Sequence, residues 1–249
     1  MCPLEYCRPE TLEEAIAMLD RGVPLAGGTA LTPQRRELTA VIDLQAIGLD
    51  NLKLESGRLT LEAAVTLQAL VECGDAPDVL RECARLEAGW NIRNAATLAG
   101  LLHTADGRSP LLTALSACTA RVLLQPGDRS MALDEYLRFR SDDAPAHLVT
   151  ALEVERPLKM QYEYAGRSPA DRPMVCAAAA RYGKGAERVQ LAVGGFGPHP
   201  LAFAAKHEDQ ARTEAEACFR DAADDWASAD YRSAAGSALA VRVFREVTS

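Results

Sequence analysis

The stretch that most constrains this chain is Leu25-Ala26-Gly27-Gly28-Thr29-Ala30-Leu31, where two adjacent glycines and a threonine interrupt an otherwise ordinary α/β pattern. Glycine reaches positive φ without a Cβ penalty and lets main chain come close to a ligand or to another segment. Two readings follow. The stretch is a tight connection between a helix and the next strand, or it is a nest whose successive N–H groups cradle an anion such as phosphate.

Composition narrows the partners. The 249 residues are 48% hydrophobic and 25% charged, as in a globular protein of one to three domains. A net charge of −8, with no basic block interleaved with aromatics, argues against nucleic acid and anionic membrane surfaces. Met1-Cys2-Pro3-Leu4-Glu5 lacks a basic region followed by an apolar one, and no apolar run reaches spanning length, so the expected location is cytoplasmic with no membrane span. Cys2, Cys7, Cys73, Cys83, Cys118, Cys176 and Cys218 are scattered and form no Cys-x-x-Cys, so they read as mostly buried thiols rather than disulfides or metal ligands.

In chain order, a strand near Tyr6 precedes a helix that starts at Pro9-Glu10-Thr11-Leu12-Glu13-Glu14 and closes at Gly22, with Leu12, Ala15, Ile16 and Leu19 on its apolar face. Ala40-Val41-Ile42-Asp43-Leu44 is a short buried strand, which makes the first fifty residues a βα-type unit. Leu52 to Glu55 and Arg58 to Ala64 alternate around Ser56-Gly57, a hairpin signal. Helices are expected from Thr66 to Cys73 and from Pro77 to Glu87, the second with Val79, Leu80, Cys83 and Leu86 on one side. From Asn91 to Asp106, polar and small residues alternate in an order that suits no regular amphipathic element. A helix from Leu111 to Cys118, a strand at Arg121 to Leu124, a turn at Gln125-Pro126-Gly127-Asp128, a short strand and helix from Met131 to Phe139, and a strand at Leu148 to Val154 follow. Beyond Leu158, three strands (Gln161 to Tyr164, Met174 to Tyr182, Arg188 to Val193) precede two helices, Thr213 to Trp226 and Tyr231 to Val247. The second of these carries Ala235, Leu239, Val243 and Phe244 on one face. Strands followed by helices indicate an α+β C-terminal domain.

The order and spacing of these stretches resemble the flavoprotein (medium) subunit of the molybdenum hydroxylases, the family of xanthine dehydrogenase and carbon monoxide dehydrogenase. Its early Ala-Gly-Gly-Thr-Asp-Leu turn is matched by Ala26 to Leu31, with Ala30 in place of Asp. Its later Ile-Arg-Asn-x-x-Thr-Ile-Gly-Gly-Asn is matched by Ile92-Arg93-Asn94-Ala95-Ala96-Thr97-Leu98-Ala99-Gly100-Leu101, with Ala99 and Leu101 departing from the pattern. Weaker agreement lies in Gly166-Arg167-Ser168-Pro169-Ala170-Asp171, in Gly194-Gly195-Phe196-Gly197-Pro198-His199-Pro200, and in the helix from Tyr231 to Arg242. The resemblance covers almost the whole chain.

The resemblance implies an α+β fold in which FAD-binding subdomains 1–56 and 57–157, of the vanillyl-alcohol-oxidase type, precede a C-terminal domain 158–249 with a three-stranded antiparallel sheet and helices. It implies FAD in the cleft between the first two parts, with both glycine stretches directed at the diphosphate. The candidate cofactor-binding residues are Leu25, Ala26, Gly27, Gly28, Thr29, Ala30, Leu31, Thr97, Ala99, Gly100, Leu101, His103, Asp106 and Tyr164. Asp106 stands where relatives carry an acidic residue after the second stretch, and Tyr164 and Trp90 are the aromatics able to stack on a flavin ring. The implied partners are a molybdopterin-binding large subunit and a [2Fe-2S] small subunit, with NAD or another acceptor taking the electrons. Two functions follow: an electron-transferring FAD subunit, inactive on substrate alone, or a flavin-free scaffold or assembly subunit that keeps the fold. No Ser/His/Asp or Cys/His arrangement and no metal-ligand set stands out. The pairs Asp142-Asp143 and Asp224-Asp225 read as solvated faces, and Gly194-Gly195-Phe196-Gly197 reads as a strand-ending turn.

Overall fold

A computed structural model of the chain describes residues 4–140, 146–168, 171–183 and 188–249. Cys2, the Asp142-Asp143 pair and the Pro169-Ala170 part of the third matching block lie outside the described residues. Among the described residues the strands form three sheets.

The first sheet is parallel, in the order β1 (Glu5–Cys7), β3 (Ala40–Asp43), β2 (Val23–Leu25). Helix α1 (Leu12–Ala17) connects β1 to β2, and a reciprocal capping box starts it: the Glu14 N–H donates to Thr11 Oγ1 at 3.2 Å while the Thr11 N–H donates back to the Glu14 carboxylate at 3.4 Å. The helix stops at Ala17, short of Gly22, and a turn completes the connection. Pro24 sits in edge strand β2, the position in a sheet where a missing N–H is tolerated.

The second sheet is antiparallel, in the order β4 (Leu52–Glu55), β5 (Arg58–Glu62), β8 (Leu148–Glu155), β6 (Ala120–Gln125), β7 (Arg129–Ala132). Ser56 and Gly57 turn the β4–β5 hairpin with φ of 51° and 76°, so residues on both sides of position 56 share one sheet. Between β5 and β6 run α2 (Leu67–Glu72), α3 (Asp78–Glu87), α4 (Trp90–Arg93), α5 (Leu98–Thr104) and α6 (Pro110–Ser116), and α7 (Leu133–Phe139) follows β7. Two expectations change here. Leu86 points outward, 40% exposed, and Ala84 takes its place beside Leu80 and Cys83 in the core. The irregular stretch from Asn91 to Asp106 forms α4 and α5, helices too short to show a period in sequence.

The third sheet is antiparallel and has four strands rather than three, in the order β12 (Leu201–Ala205), β11 (Val189–Gly194), β10 (Val175–Arg181), β9 (Lys159–Ala165). The added strand is an alanine-rich edge of five residues, weak in strand propensity. Helix α8 (Glu208–Cys218) begins earlier and ends earlier than expected, because His207 caps it by accepting the Gln210 N–H at 3.2 Å; α9 (Ala229–Thr248) ends the chain.

Strand β10 is buried on both faces. Val175, Ala177 and Ala179 pack with α8 and α9, while Ala178 on the opposite face packs with Ala192 and with Ala117 just after α6. Every residue of α6 is buried, so this helix is core to the second and third sheets together. A main-chain clasp lies beside it: the Gly107 N–H donates to the Gly197 carbonyl at 3.0 Å and the Gly195 N–H to the Gly107 carbonyl at 2.6 Å. A Cβ on Gly107 would lie 1.7 Å from the Phe196 carbonyl oxygen, so only glycine permits this approach. The run from Gly194 is thus a strand-ending turn, as read from sequence, and it holds the third part onto the second.

Candidate functional site

The first glycine stretch follows β2 directly. Its ends are fixed: the Leu25 carbonyl accepts the Leu44 N–H at 2.9 Å, the Ala26 carbonyl accepts Gln45 Nε2 at 3.4 Å, and the Gly28 carbonyl accepts the Thr32 N–H and hydroxyl at 2.9 and 2.7 Å. Gly28 has φ of 69°, a left-handed conformation that suits glycine. No described residue accepts a hydrogen bond from the N–H groups of Gly27, Gly28, Thr29 or Ala30. These are neutral donors on a half-buried turn, the chemistry that suits a diphosphate.

The second stretch lies against the first. A Cβ on Gly27 would fall 1.7 Å from the Ala95 carbonyl oxygen and 3.3 Å from the Ala96 Cα. The two stretches, some seventy residues apart in sequence, therefore meet main chain to main chain.

Within the second stretch the donors are distributed differently from the first. The Leu98 and Ala99 N–H groups donate to the carbonyls of Val65 and Ala63, the Gly100 N–H to Thr97 Oγ1, and the Leu101 N–H to the Thr97 carbonyl. The main chain at Gly100 is thus engaged in capping α5. Thr97 Oγ1 accepts that bond and keeps its own proton to donate. Leu101 is buried and serves packing, while Ala99 and Gly100 are half-buried.

A cleft of about 340 Å³ opens at the other end of α4, lined by Arg85, Glu87, Gly89, Arg93, Tyr164 and Arg172 among others. Its walls come from the second and third parts of the chain. Residues 89 to 95 link this cleft to the Gly27 contact over about 9 Å at the helical rise of about 1.5 Å per residue. Arg93 fixes α4 in place, its Nε donating to Gln68 Oε1 at 3.0 Å and its Nη1 to the carbonyls of Ala88 and Arg85 at 2.7 and 3.1 Å. Tyr164 is half-buried on β9, stacked on Tyr162 with centroids 6.0 Å apart, and presents an aromatic wall to the cleft.

Glu87, the last residue of α3, accepts hydrogen bonds on Oε2 from the Ser109 hydroxyl at 2.8 Å and the Leu111 N–H at 3.1 Å. Burial pushes this carboxyl above the usual range, against the lowering effect of those donors and of Arg172.

The remaining candidates fall elsewhere. Asp106 is ion-paired with Arg172 and accepts the Arg108 N–H at 2.8 Å, so it joins the second part of the chain to the third. His103 is exposed on α5, its ring 6.4 Å from that of His147. Trp90 begins α4 and is 64% exposed. Cys83, Cys118 and Cys176 are buried, whereas Cys7, Cys73 and Cys218 are only partly so. Burial pushes Cys118 up to about 12 and Cys176 to about 11, which leaves both protonated and inert.

Sequence reasoning missed several supporting residues. Asp43, 3% exposed at the end of β3, accepts from the Tyr6 hydroxyl and from the Gln45 N–H at 2.9 Å, and Gln45 in turn holds the Ala26 carbonyl. An acid inside the apolar run Ala40 to Leu44 was the signal for it. Nothing in the local sequence marked Glu87 or Arg172.

Among the described residues no helix is long and apolar enough to cross a membrane. A family model described as the FAD binding domain in molybdopterin dehydrogenase matches residues 2–157. The glyceraldehyde dehydrogenase medium chain of Sulfolobus acidocaldarius is 28% identical over 218 residues, covering 79% of this chain and 76% of that one. Among solved structures, a Cu,Mo-CO dehydrogenase aligns with a TM-score of 0.83 at 23% identity over 100% of this chain and 99% of its own. Quinoline 2-oxidoreductase from Pseudomonas putida 86 aligns with a TM-score of 0.81 at 21% identity over 99% of this chain and 97% of its own. Both structures share the fold over nearly the whole chain. The chain belongs to the family of FAD-binding domains of molybdopterin dehydrogenases, which are oxidoreductases.

Proposed function

We propose that this chain is the FAD-holding electron-transfer subunit of a molybdopterin-dependent hydroxylase or dehydrogenase. The observation that carries this reading is the meeting of Gly27 with Ala95 beside unpaired N–H donors, at one end of a short helix whose other end opens on an aromatic-walled cleft. When bound, FAD supplies the redox chemistry, accepting electrons singly from an iron–sulfur centre and releasing them as a pair to NAD or another acceptor.

The chain's own residues hold that group. The N–H groups of Gly27, Gly28, Thr29 and Ala30, together with the Thr97 hydroxyl, bind the diphosphate. Leu25, Ala26 and Leu31 frame this cradle, and Ala99 and Gly100 leave room for it. Tyr164 forms the wall against the ring, and Arg172, held by Asp106, lends positive charge to the cleft. Leu101 and His103 support α5 behind it. Alone, the chain oxidises no substrate; it works with a molybdopterin-binding large subunit and a [2Fe-2S] small subunit. The exposed Leu86, Trp90 and Ile92 support that assembly, being 40, 64 and 50% exposed on and beside the cleft-side helices.

The second reading, a flavin-free scaffold subunit, draws on the engaged N–H groups at the start of α5 and on Ala30 and Leu101 in place of polar residues. One titration separates the two. Added FAD should lose fluorescence on binding, and at a hundredfold excess over Kd it should stabilise the chain by about 2.7 kcal/mol. For a chain of this length that raises Tm by roughly 5–10 °C. Unquenched fluorescence with an unmoved Tm would establish the scaffold reading instead.

A further inference from the structure

We propose that Glu87 is the proton carrier of the cleft, passing a proton to the flavin ring as the ring takes up electrons and drawing a replacement from water. The inference rests on the FAD reading above and concerns a residue that neither glycine stretch includes.

Three observations converge on Glu87. It lines the cleft with Gly89, Tyr164 and Arg172, the cleft to which the FAD reading assigns the ring end of the cofactor. Its two hydrogen bonds, from Ser109 and Leu111, both fall on Oε2, and no described residue donates to Oε1. A carboxyl held in this way can carry its proton on Oε1 while Oε2 stays anchored to the start of α6. Finally, its charged neighbours set it apart from the other acids near the cleft. Asp106 is paired with Arg172, and Asp171 with Arg167 at 3.1 Å, so each carboxylate has an arginine as its direct partner. Among the described residues Glu87 makes no such ion pair.

The groups around it act in both directions. Arg172 favours its charged form and Asp106 its neutral form, while Arg85, Arg93 and Arg108 lie on neighbouring segments. Arg93 is turned onto carbonyls and Gln68, and Arg108 onto the carbonyls of Pro173 and Arg172. Desolvation outweighs the donors, and the carboxyl keeps its proton to higher pH than an exposed glutamate would.

The balance is simple. Two electrons come from a one-electron reductant, an iron–sulfur centre in a complex or dithionite in a cuvette. The O–H bond of Glu87 breaks, an N–H bond forms on the ring, and water reprotonates the carboxylate.

The test uses the full chain loaded with FAD. Flavin affinity is measured first by fluorescence titration, and reduction by excess dithionite is then followed by stopped flow across a pH series in H2O and D2O. The native chain should be reduced more slowly as pH rises through the Glu87 carboxyl pKa, and more slowly in D2O. Glu87→Gln should keep its FAD affinity, lose the pH break and slow by about a hundredfold. Glu87→Asp should recover part of the rate. Ser109→Ala, which removes a donor that favours the carboxylate, should move the break to higher pH; this variant decides the matter if Glu87→Gln fails to fold. An unchanged rate and pH break in Glu87→Gln, or an unmoved break in Ser109→Ala, would overturn the role of Glu87 while leaving the FAD reading intact. A native chain that binds no FAD would overturn both.

Discussion

At Glu87 burial and hydrogen bonding oppose one another, and burial wins. The folded chain therefore holds this proton more tightly than the unfolded chain does. Stability from this group is full below the ordinary value of 4.5 and is lost as pH rises through the raised one. Urea unfolding across that window should show ΔG falling with pH in the native chain, and the decline should be smaller in Glu87→Gln. Asp224 shows the reverse balance. Burial pushes its carboxyl up, but hydrogen bonds from Arg232 and from the Trp226 and Ala227 N–H groups hold it below the usual range. Stability from Asp224 is therefore present above the unfolded value and lost as pH falls through the depressed one. Arg232 is fully buried and keeps only carbonyl partners if Asp224 is removed, so Asp224→Ala should cost about 3 kcal/mol in chemical denaturation at neutral pH. Neither balance was legible in sequence. The helical period predicts Leu86 inside, but the buried face runs through Leu80, Cys83 and Ala84, which leaves Leu86 exposed and Glu87, about 100° further round the helix, bonded to the start of α6.

Elements with a clear period or a clear stop were readable: the hairpin at Ser56-Gly57, the βα-type unit with strand β3, strand β10 and helix α9. The elements that were missed are short. β2 holds only Val23–Leu25 with a proline in it, α4 has four residues, and β12 is five residues of which three are alanine, a weak strand former. Close packing between elements depends on glycines whose neighbours are remote in sequence. A methyl group on Gly236 would fall 2.1 Å from the Phe219 ring, where α9 crosses the end of α8. Gly236→Ala should destabilise the chain by about 1–3 kcal/mol, read from thermal or denaturant melts. Gly27→Ala meets main chain instead of a movable ring, and must push the first glycine turn away from Ala95. It should weaken FAD binding by at least about tenfold, which is only about 1.4 kcal/mol, in the fluorescence titration. An affinity equal to that of the native chain would show that the contact between the two stretches does not shape the cradle.

At the scale of the molecule, the second and third sheets are joined by the wholly buried α6, the clasp between Gly107 and the turn after β11, and the Asp106–Arg172 pair. The family resemblance placed both glycine stretches at one ligand, but the cleft walled by Tyr164 and Arg172 was not legible, because residues 171–173 reach it only through the folded third sheet. The proposed assembly belongs to this scale as well. Purified gently from its own cells, the chain should elute with a larger molybdenum-containing subunit and a smaller iron-containing one, measured by size exclusion with metal analysis. Elution as a lone chain without either metal would count against the proposed partners. Helix α4 has a consequence of its own. On the proposed FAD reading it works as a gauge block between the phosphate end and the ring end of one ligand. A single alanine inserted into it would lengthen the block by about 1.5 Å and twist one end against the other by about 100°. Every side chain would survive, yet the two ends would be out of phase, so the fit of a long cofactor here is set by a count of residues as much as by their identity.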